Sequence, residues 1–170
     1  LWLVKMFTKQ YDYETAKKIC IHDNTPPGRT ARVNTLKTNK NTLLKEGCFE
    51  NGNLAPDALL YNAGNIAEST YFKEGLVTIQ DESSQLVAPL LSPSEDDLVL
   101  DMCCASGSKI THLAALMNNK GKIIECDLFD HKIKLVKEYL KRLNISNVEL
   151  HTIDAINLNE KYLEGTFDKI

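Results

Sequence analysis

An α/β fold built on a parallel sheet is predicted by three features of this sequence. Three apolar runs each end in an acid: Leu98-Val99-Leu100-Asp101, Ile123-Ile124-Glu125-Cys126-Asp127, and Val148-Glu149-Leu150-His151-Thr152-Ile153-Asp154. Helical patterns separate them, and strand, helix, strand, helix, strand in this rhythm implies parallel strands joined by right-handed crossovers. The first run also passes into its helix through small residues, Met102-Cys103-Cys104-Ala105-Ser106-Gly107-Ser108-Lys109. Such a turn lets backbone N–H groups approach a ligand at the positive end of a helix.

Ahead of this sheet the patterns are shorter. Tyr13 to Ile21 has apolar residues at helical spacing and stops at the turn formers His22-Asp23-Asn24-Thr25-Pro26-Pro27-Gly28. Thr30 to Leu36 reads as a strand, Thr38 to Glu46 as a capped helix closed by Gly47, and Cys48 to Glu74 as short strands and turns that include Ala58-Leu59-Leu60-Tyr61. This predicts a small α+β unit over residues 1–74 and a sheet domain over 75–170. Asp81 to Leu91 is an acid-rich start feeding an apolar helical pattern. Lys122 to Asp127 reads as the second strand of the parallel sheet, Asp130 to Arg142 as a helix with Ile133, Leu135, Val136 and Leu140 on one face, and Phe167-Asp168-Lys169-Ile170 as the entry to a fourth strand.

Composition sets the class. At 43% hydrophobic and 25% charged residues, the 170-residue chain can pack a core and is not a disordered polymer. No apolar run reaches the length of a membrane span, and Leu1-Trp2-Leu3-Val4-Lys5 is too short and too soon charged for a signal peptide, so a cytoplasmic protein is expected. Five cysteines without paired spacing fit reduced thiols better than a disulfide framework or a zinc site. The net charge of −3 hides an asymmetry: residues 1–45 hold nine Lys and Arg against Asp12, Glu14 and Asp23, and the remainder is acidic. A basic front end suits a polyanion, as it also suits an ordinary solvated face. Arg32 and Asn34 are candidate RNA contacts on the Thr30 to Leu36 strand, with a structural role as the alternative.

In a parallel sheet the ligand sits beyond the carboxyl ends of the strands. The turn after Asp101, Asp127 and Asp154 all fall there, so one crevice can hold all three. Asp127 lies 20 residues after Gly107, the spacing at which an acid accepts hydrogen bonds from ribose hydroxyls. An acid after the third strand can reach the exocyclic amine of a base. With only Gly107 among its small residues, the loop departs from G-x-G-x-x-G, which fits S-adenosylmethionine better than NAD.

The stretch Asp101-Met102-Cys103-Cys104-Ala105-Ser106-Gly107-Ser108-Lys109-Ile110-Thr111-His112 resembles the D-x-C-A-A-P-G-G-K-T-x-H motif of the RNA 5-methylcytosine methyltransferases of the Nol/Nop/Sun family. Ile79-Gln80-Asp81-Glu82-Ser83-Ser84 is similar to the family's lead-in, Arg32-Val33-Asn34-Thr35-Leu36 to its R-V-N-x-L signature, and Trp2-Leu3-Val4 to its W-L-V start. The resemblance runs in order over nearly the whole chain and is nearest to the bacterial Sun (Fmu) branch, which acts on small-subunit ribosomal RNA. It implies the first half of a Rossmann-like methyltransferase parallel sheet, preceded by a small α+β subdomain facing RNA. Cys103, Cys104, Ala105, Ser106, Gly107, Ser108 and Lys109 would then line the S-adenosylmethionine site, with Asp127 on the ribose and Asp154 near the adenine.

Four positions depart from the motif: Cys104 stands for Ala, Ser106 for Pro, Ser108 for the second Gly and Ile110 for Thr. Without the proline's fixed φ and the glycine's freedom at positive φ, a less pre-organised loop and weaker cofactor binding are expected. The family's two catalytic cysteines belong to D-A-P-C and T-C-S motifs that would follow Ile170. No catalytic residue is therefore assigned within these 170 residues, no metal site is assigned, and the chain alone is expected to be inactive. A non-catalytic RNA-binding or assembly module of the same architecture is the alternative. Half a sheet with an uncovered side also predicts self-association.

Overall fold

Apolar alternation and capping residues place the elements. The computed structural model describes residues 1–25, 28–103 and 106–170. Helices α1 (Trp2–Gln10) and α2 (Tyr13–Asp23) form an antiparallel pair at the front. The start of α2 is fixed by Asp12, whose carboxylate accepts the Thr15 N–H at 2.8 Å and the Thr15 hydroxyl at 2.7 Å. Helix α1, which the sequence reading left unassigned, buries none of its residues.

A four-stranded antiparallel sheet follows, built from β1 (Thr30–Val33), β2 (Phe49–Asn51), β3 (Ala58–Tyr61) and β4 (Val77–Ile79) in the order β2-β3-β1-β4. Helix α3 (Lys40–Leu44), capped by Asn39, joins β1 to β2, and α4 (Thr70–Lys73), capped by Ser69, precedes β4. This is a β-α-β-β-α-β unit with β3 inserted between β1 and β2. The sheet reaches past the expected boundary at Glu74. Gly75, at φ +73°, turns the chain so that Val77 pairs with Val33 and Ile79 with Ala31.

The second sheet is parallel: β5 (Leu98–Asp101), β6 (Lys122–Asp127) and β7 (Val148–Thr152), in the order β5-β6-β7. Helices α7 (Ser108–Leu116) and α8 (Asp130–Leu143) make the crossovers. On the open side of β5, Val99 bridges Lys169 in parallel, with Asp168 N–H donating to the Leu98 carbonyl and Leu100 N–H to that of Lys169, each at 2.9 Å. The sheet thus grows in both directions from β5, and this switch point is where such sheets bind ligands. Val99, Ile110, Ala114, Met117, Ile123 and Val136 form the core between sheet and helices.

The expected helix over Asp81 to Leu91 is two short ones, α5 (Glu82–Gln85) and α6 (Val87–Leu91). Pro89 has no N–H for the Gln85 carbonyl, so the first helix ends and Pro89 sits in the first turn of the next.

The two units are locked together by polar groups with full partners. Asn34 Nδ2 donates to the Gly75 carbonyl at 2.8 Å and the Leu143 carbonyl at 3.0 Å, and Lys37 Nζ donates to those of Glu74 at 2.7 Å and Arg142 at 2.8 Å. These contacts satisfy the last carbonyls of α8, which no residue of the helix itself can reach. The Glu82 carboxylate, nearly buried, accepts the backbone N–H groups of Leu54 and Ala55.

Candidate functional site

Each strand of the parallel sheet ends in the same local device. Asp101 Oδ1 accepts the Cys103 N–H at 3.0 Å, Asp127 Oδ1 that of Phe129 at 2.9 Å, and Asp154 Oδ1 that of Ile156 at 3.0 Å. An aspartate that bonds its own backbone two residues on turns the chain away from the strand and fixes its carboxylate at the strand end. Three parallel strands in register bring three such ends together.

Met102, Cys103, Asp127 and Asp154 line one cleft of about 240 Å³, closed by Leu128, Phe129, Lys132, Ile153 and Ala155. Asp127 is buried at 6% exposure, and Lys132 Nζ lies 3.3 Å from its Oδ2 and 5.0 Å from the centre of the Phe129 ring. Asp127 and Asp154 therefore share a pocket whose remaining walls are largely apolar. A carboxylate pair beside apolar walls suits a ligand with sugar hydroxyls, an amine and a flat apolar face. Phe129, Lys132 and the flanking apolar residues were not identified from sequence. Their signal was their position just after Asp127, where the chain must turn across the strand ends.

The other predicted residues divide. Gly107 is buried at φ +74° and opens α7, with Val136 3.2 Å from where a Cβ would stand. Ser108 is the first residue of α7 and has no positive φ, so the missing second glycine costs no strain there, contrary to the expectation from sequence. Ser106 is an exposed turn residue. Lys109 is exposed and turns to a different, apolar cavity of about 580 Å³ beside β5, lined also by Leu90, Leu100, Met102, Cys103, Leu113 and Ile170. Cys103 borders both spaces. Cys104 and Ala105 lie outside the described residues.

The assignment of Arg32 and Asn34 as RNA contacts is corrected. Arg32 is 2% exposed and Asn34 5%. The Arg32 guanidinium donates to Gln80 Oε1, to the Ser108 carbonyl at 2.7 Å and to Thr111 Oγ1 at 2.9 Å. The Asn34 amide is committed to the carbonyls of Gly75 and Leu143. The short strand β1 lies in the middle of its sheet, covered by the second unit, so its polar side chains meet protein and not solvent.

Cys126 is fully buried within β6, and burial pushes its thiol pKa up, away from the thiolate. Cys103 is free and exposed at the mouth of the cleft. No helix among the described residues is long and apolar enough to cross a membrane.

Comparison with known proteins agrees with this architecture. A family model described as 16S rRNA methyltransferase RsmB/F matches residues 88–170, and one described as the RsmF/B-like ferredoxin-like domain matches residues 1–63. The β2-β3-β1-β4 order is that of a ferredoxin-like unit, and its sheet continues to Ile79. The chain is 44% identical to the probable ribosomal RNA small subunit methyltransferase B of Bacillus subtilis, over 99% of this chain and 39% of that protein. It is 31% identical to a human 28S rRNA (cytosine(4447)-C(5))-methyltransferase, over 83% of this chain and 18% of that protein. The crystal structure of a methyltransferase homolog from Pyrococcus horikoshii superposes with a TM-score of 0.85 at 31% identity, covering 93% of this chain and 53% of that one. The chain thus spans well under half the length of these two curated relatives. With both domain models matched in order on one chain, and a parallel sheet behind them, the chain belongs to the RsmB/F, or Sun, family of rRNA methyltransferases.

Proposed function

We propose that this chain forms the cofactor-binding side of an S-adenosylmethionine-dependent rRNA cytosine-5 methyltransferase. The observation that carries the reading is the convergence of Asp127 and Asp154 on one small cleft at the carboxyl ends of the parallel strands. The chemistry of that cleft fits the adenosyl group. Asp127, buried and oriented by the Phe129 N–H, accepts hydrogen bonds from the ribose hydroxyls. Asp154, held by the Ile156 N–H, accepts from the exocyclic amine of adenine, while Leu128 and Ile153 cover the faces of the base. Gly107 lets the chain enter α7 without a side chain at the turn. S-adenosylmethionine, when bound, supplies the activated methyl group. The residues of this chain bind and orient it.

Ribosomal RNA as substrate, the small-subunit RNA in particular, rests on the names of the relatives. In this reading the chain binds and orients the cofactor, and neither Cys126, buried within β6, nor Cys103, at the cofactor cleft, attacks the base.

Calorimetry with S-adenosylmethionine and with NAD tests the reading. Binding of S-adenosylmethionine is expected, and the substitution Asp127→Asn should weaken it by about tenfold or more, the worth of a charge-assisted hydrogen bond. Preference for NAD, or undiminished affinity in the variant, overturns the cofactor assignment. Methyl transfer to rRNA by this chain alone overturns the division of labour.

A further inference from the structure

We propose that Arg32, on the ferredoxin-like sheet, is a positioning residue for the turn that enters α7, so that the first unit sets the cofactor affinity of the second.

The inference starts from where the charge sits. Arg32 is buried in the centre of β1, and its partners are neutral: the Gln80 amide oxygen, the Ser108 carbonyl and the Thr111 hydroxyl. Among the described residues it forms no ion pair at bonding distance. Burial pushes its pKa down to about 10, which leaves it charged at neutral pH. A cation against the first turn of a helix also opposes the helix dipole. The stability of α7 alone gives no reason for this placement.

The contacts instead define a geometry. Thr111 Oγ1 donates to the Ser108 carbonyl at 3.0 Å, so Arg32 grips two groups that are already joined to each other. The fork of the guanidinium fixes both the position and the rotation of the first turn of α7, just after Gly107. Gln80 in turn holds the fork, and the Gln80 side-chain N–H reaches the Ser84 carbonyl at 3.3 Å. The chain therefore runs from the first sheet, through Arg32, to the loop bordering the cofactor cleft. Asn34, two residues away on the same segment, grips the far end of α8 instead. The two residues join the same units at opposite ends of the crossover helices.

This rests on the cofactor reading above, and the test separates the two. Arg32→Ala and Asn34→Ala are compared in the full chain by thermal unfolding, S-adenosylmethionine calorimetry, and amide hydrogen exchange over residues 107–111. Both variants should lower the melting temperature. Only Arg32→Ala should weaken S-adenosylmethionine, by about tenfold, and speed exchange in the turn, while Asn34→Ala changes affinity less than about twofold. Equal losses of affinity in both variants, or none in Arg32→Ala, overturn the proposal. If the unsubstituted chain does not bind S-adenosylmethionine, the cofactor reading fails and the exchange data decide: faster exchange confined to Arg32→Ala supports positioning, and unchanged exchange overturns it. Should Arg32→Ala not fold, Arg32→Lys replaces it. It keeps the charge but loses the fork, and unchanged affinity and exchange in that variant overturn the proposal.

Discussion

Gly75 and Gly47 share a backbone conformation, φ +73° and +75°, but not a neighbourhood. A Cβ on Gly47 would meet nothing within 4 Å, whereas one on Gly75 would stand 2.2 Å from the Arg142 carbonyl oxygen. Gly47→Ala should cost about 1 kcal/mol, the price of a left-handed non-glycine residue. Gly75→Ala should cost about 2 kcal/mol or more beyond that, because the end of α8 must move away from Asn34 and Lys37. Chemical denaturation of the two variants measures the difference, and equal losses would show that the approach at Gly75 is not tight. Glu82 is the polar counterpart. Its carboxylate is the acceptor for two backbone N–H groups of the Leu54–Ala55 turn, and Glu82→Ala should destabilise by about 2–3 kcal/mol because both donors are left unpaired.

Helix α7 is the element on which both units close. Besides the grip of Arg32 on its first turn, it presents His112 to the first unit, 3% exposed, with Nε2 3.7 Å from Asp57 Oδ2. Burial lowers the pKa of His112 below the ordinary histidine value, nearby Arg32 adds to the shift, and Asp57 opposes it. The unfolded chain then takes up the proton more readily than the folded one. Stability from neutral His112 is fully present above about pH 6.5 and is lost as the pH falls below it. Melting temperatures should therefore drop between about pH 7 and pH 5, and His112→Asn should flatten that part of the profile. A profile of the same slope in the variant would assign the pH dependence to other groups.

For the whole molecule, the apolar cavity beside β5 is the feature most exposed to association. Leu90 is 82% exposed and Ile170 67%, next to a space of about 580 Å³. Contiguous apolar surface of this kind promotes contact between copies. The chain should show a concentration-dependent rise in mass by light scattering, and Leu90→Glu should suppress it. A monodisperse monomer at high concentration would contradict this.

The sequence by itself determined the parallel sheet, its three strand-end acids and the small-residue turn around Gly107, because period, propensity and turn composition are local; the left-handed φ at Gly107 came from the structure. Of the stretch Thr30 to Leu36 read as a strand, Thr30–Val33 is one, and residues 35–37 form a turn instead. What Arg32 and Asn34 do was not legible. An Arg and an Asn on a strand carry the same local pattern whether they meet solvent, RNA or protein, and only the docking of α7 and α8 onto the first sheet made them buried donors. The reach of that sheet to Ile79 was likewise decided by the pairing of β4 with β1 across more than forty residues, a contact of long sequence separation that leaves no mark in either segment.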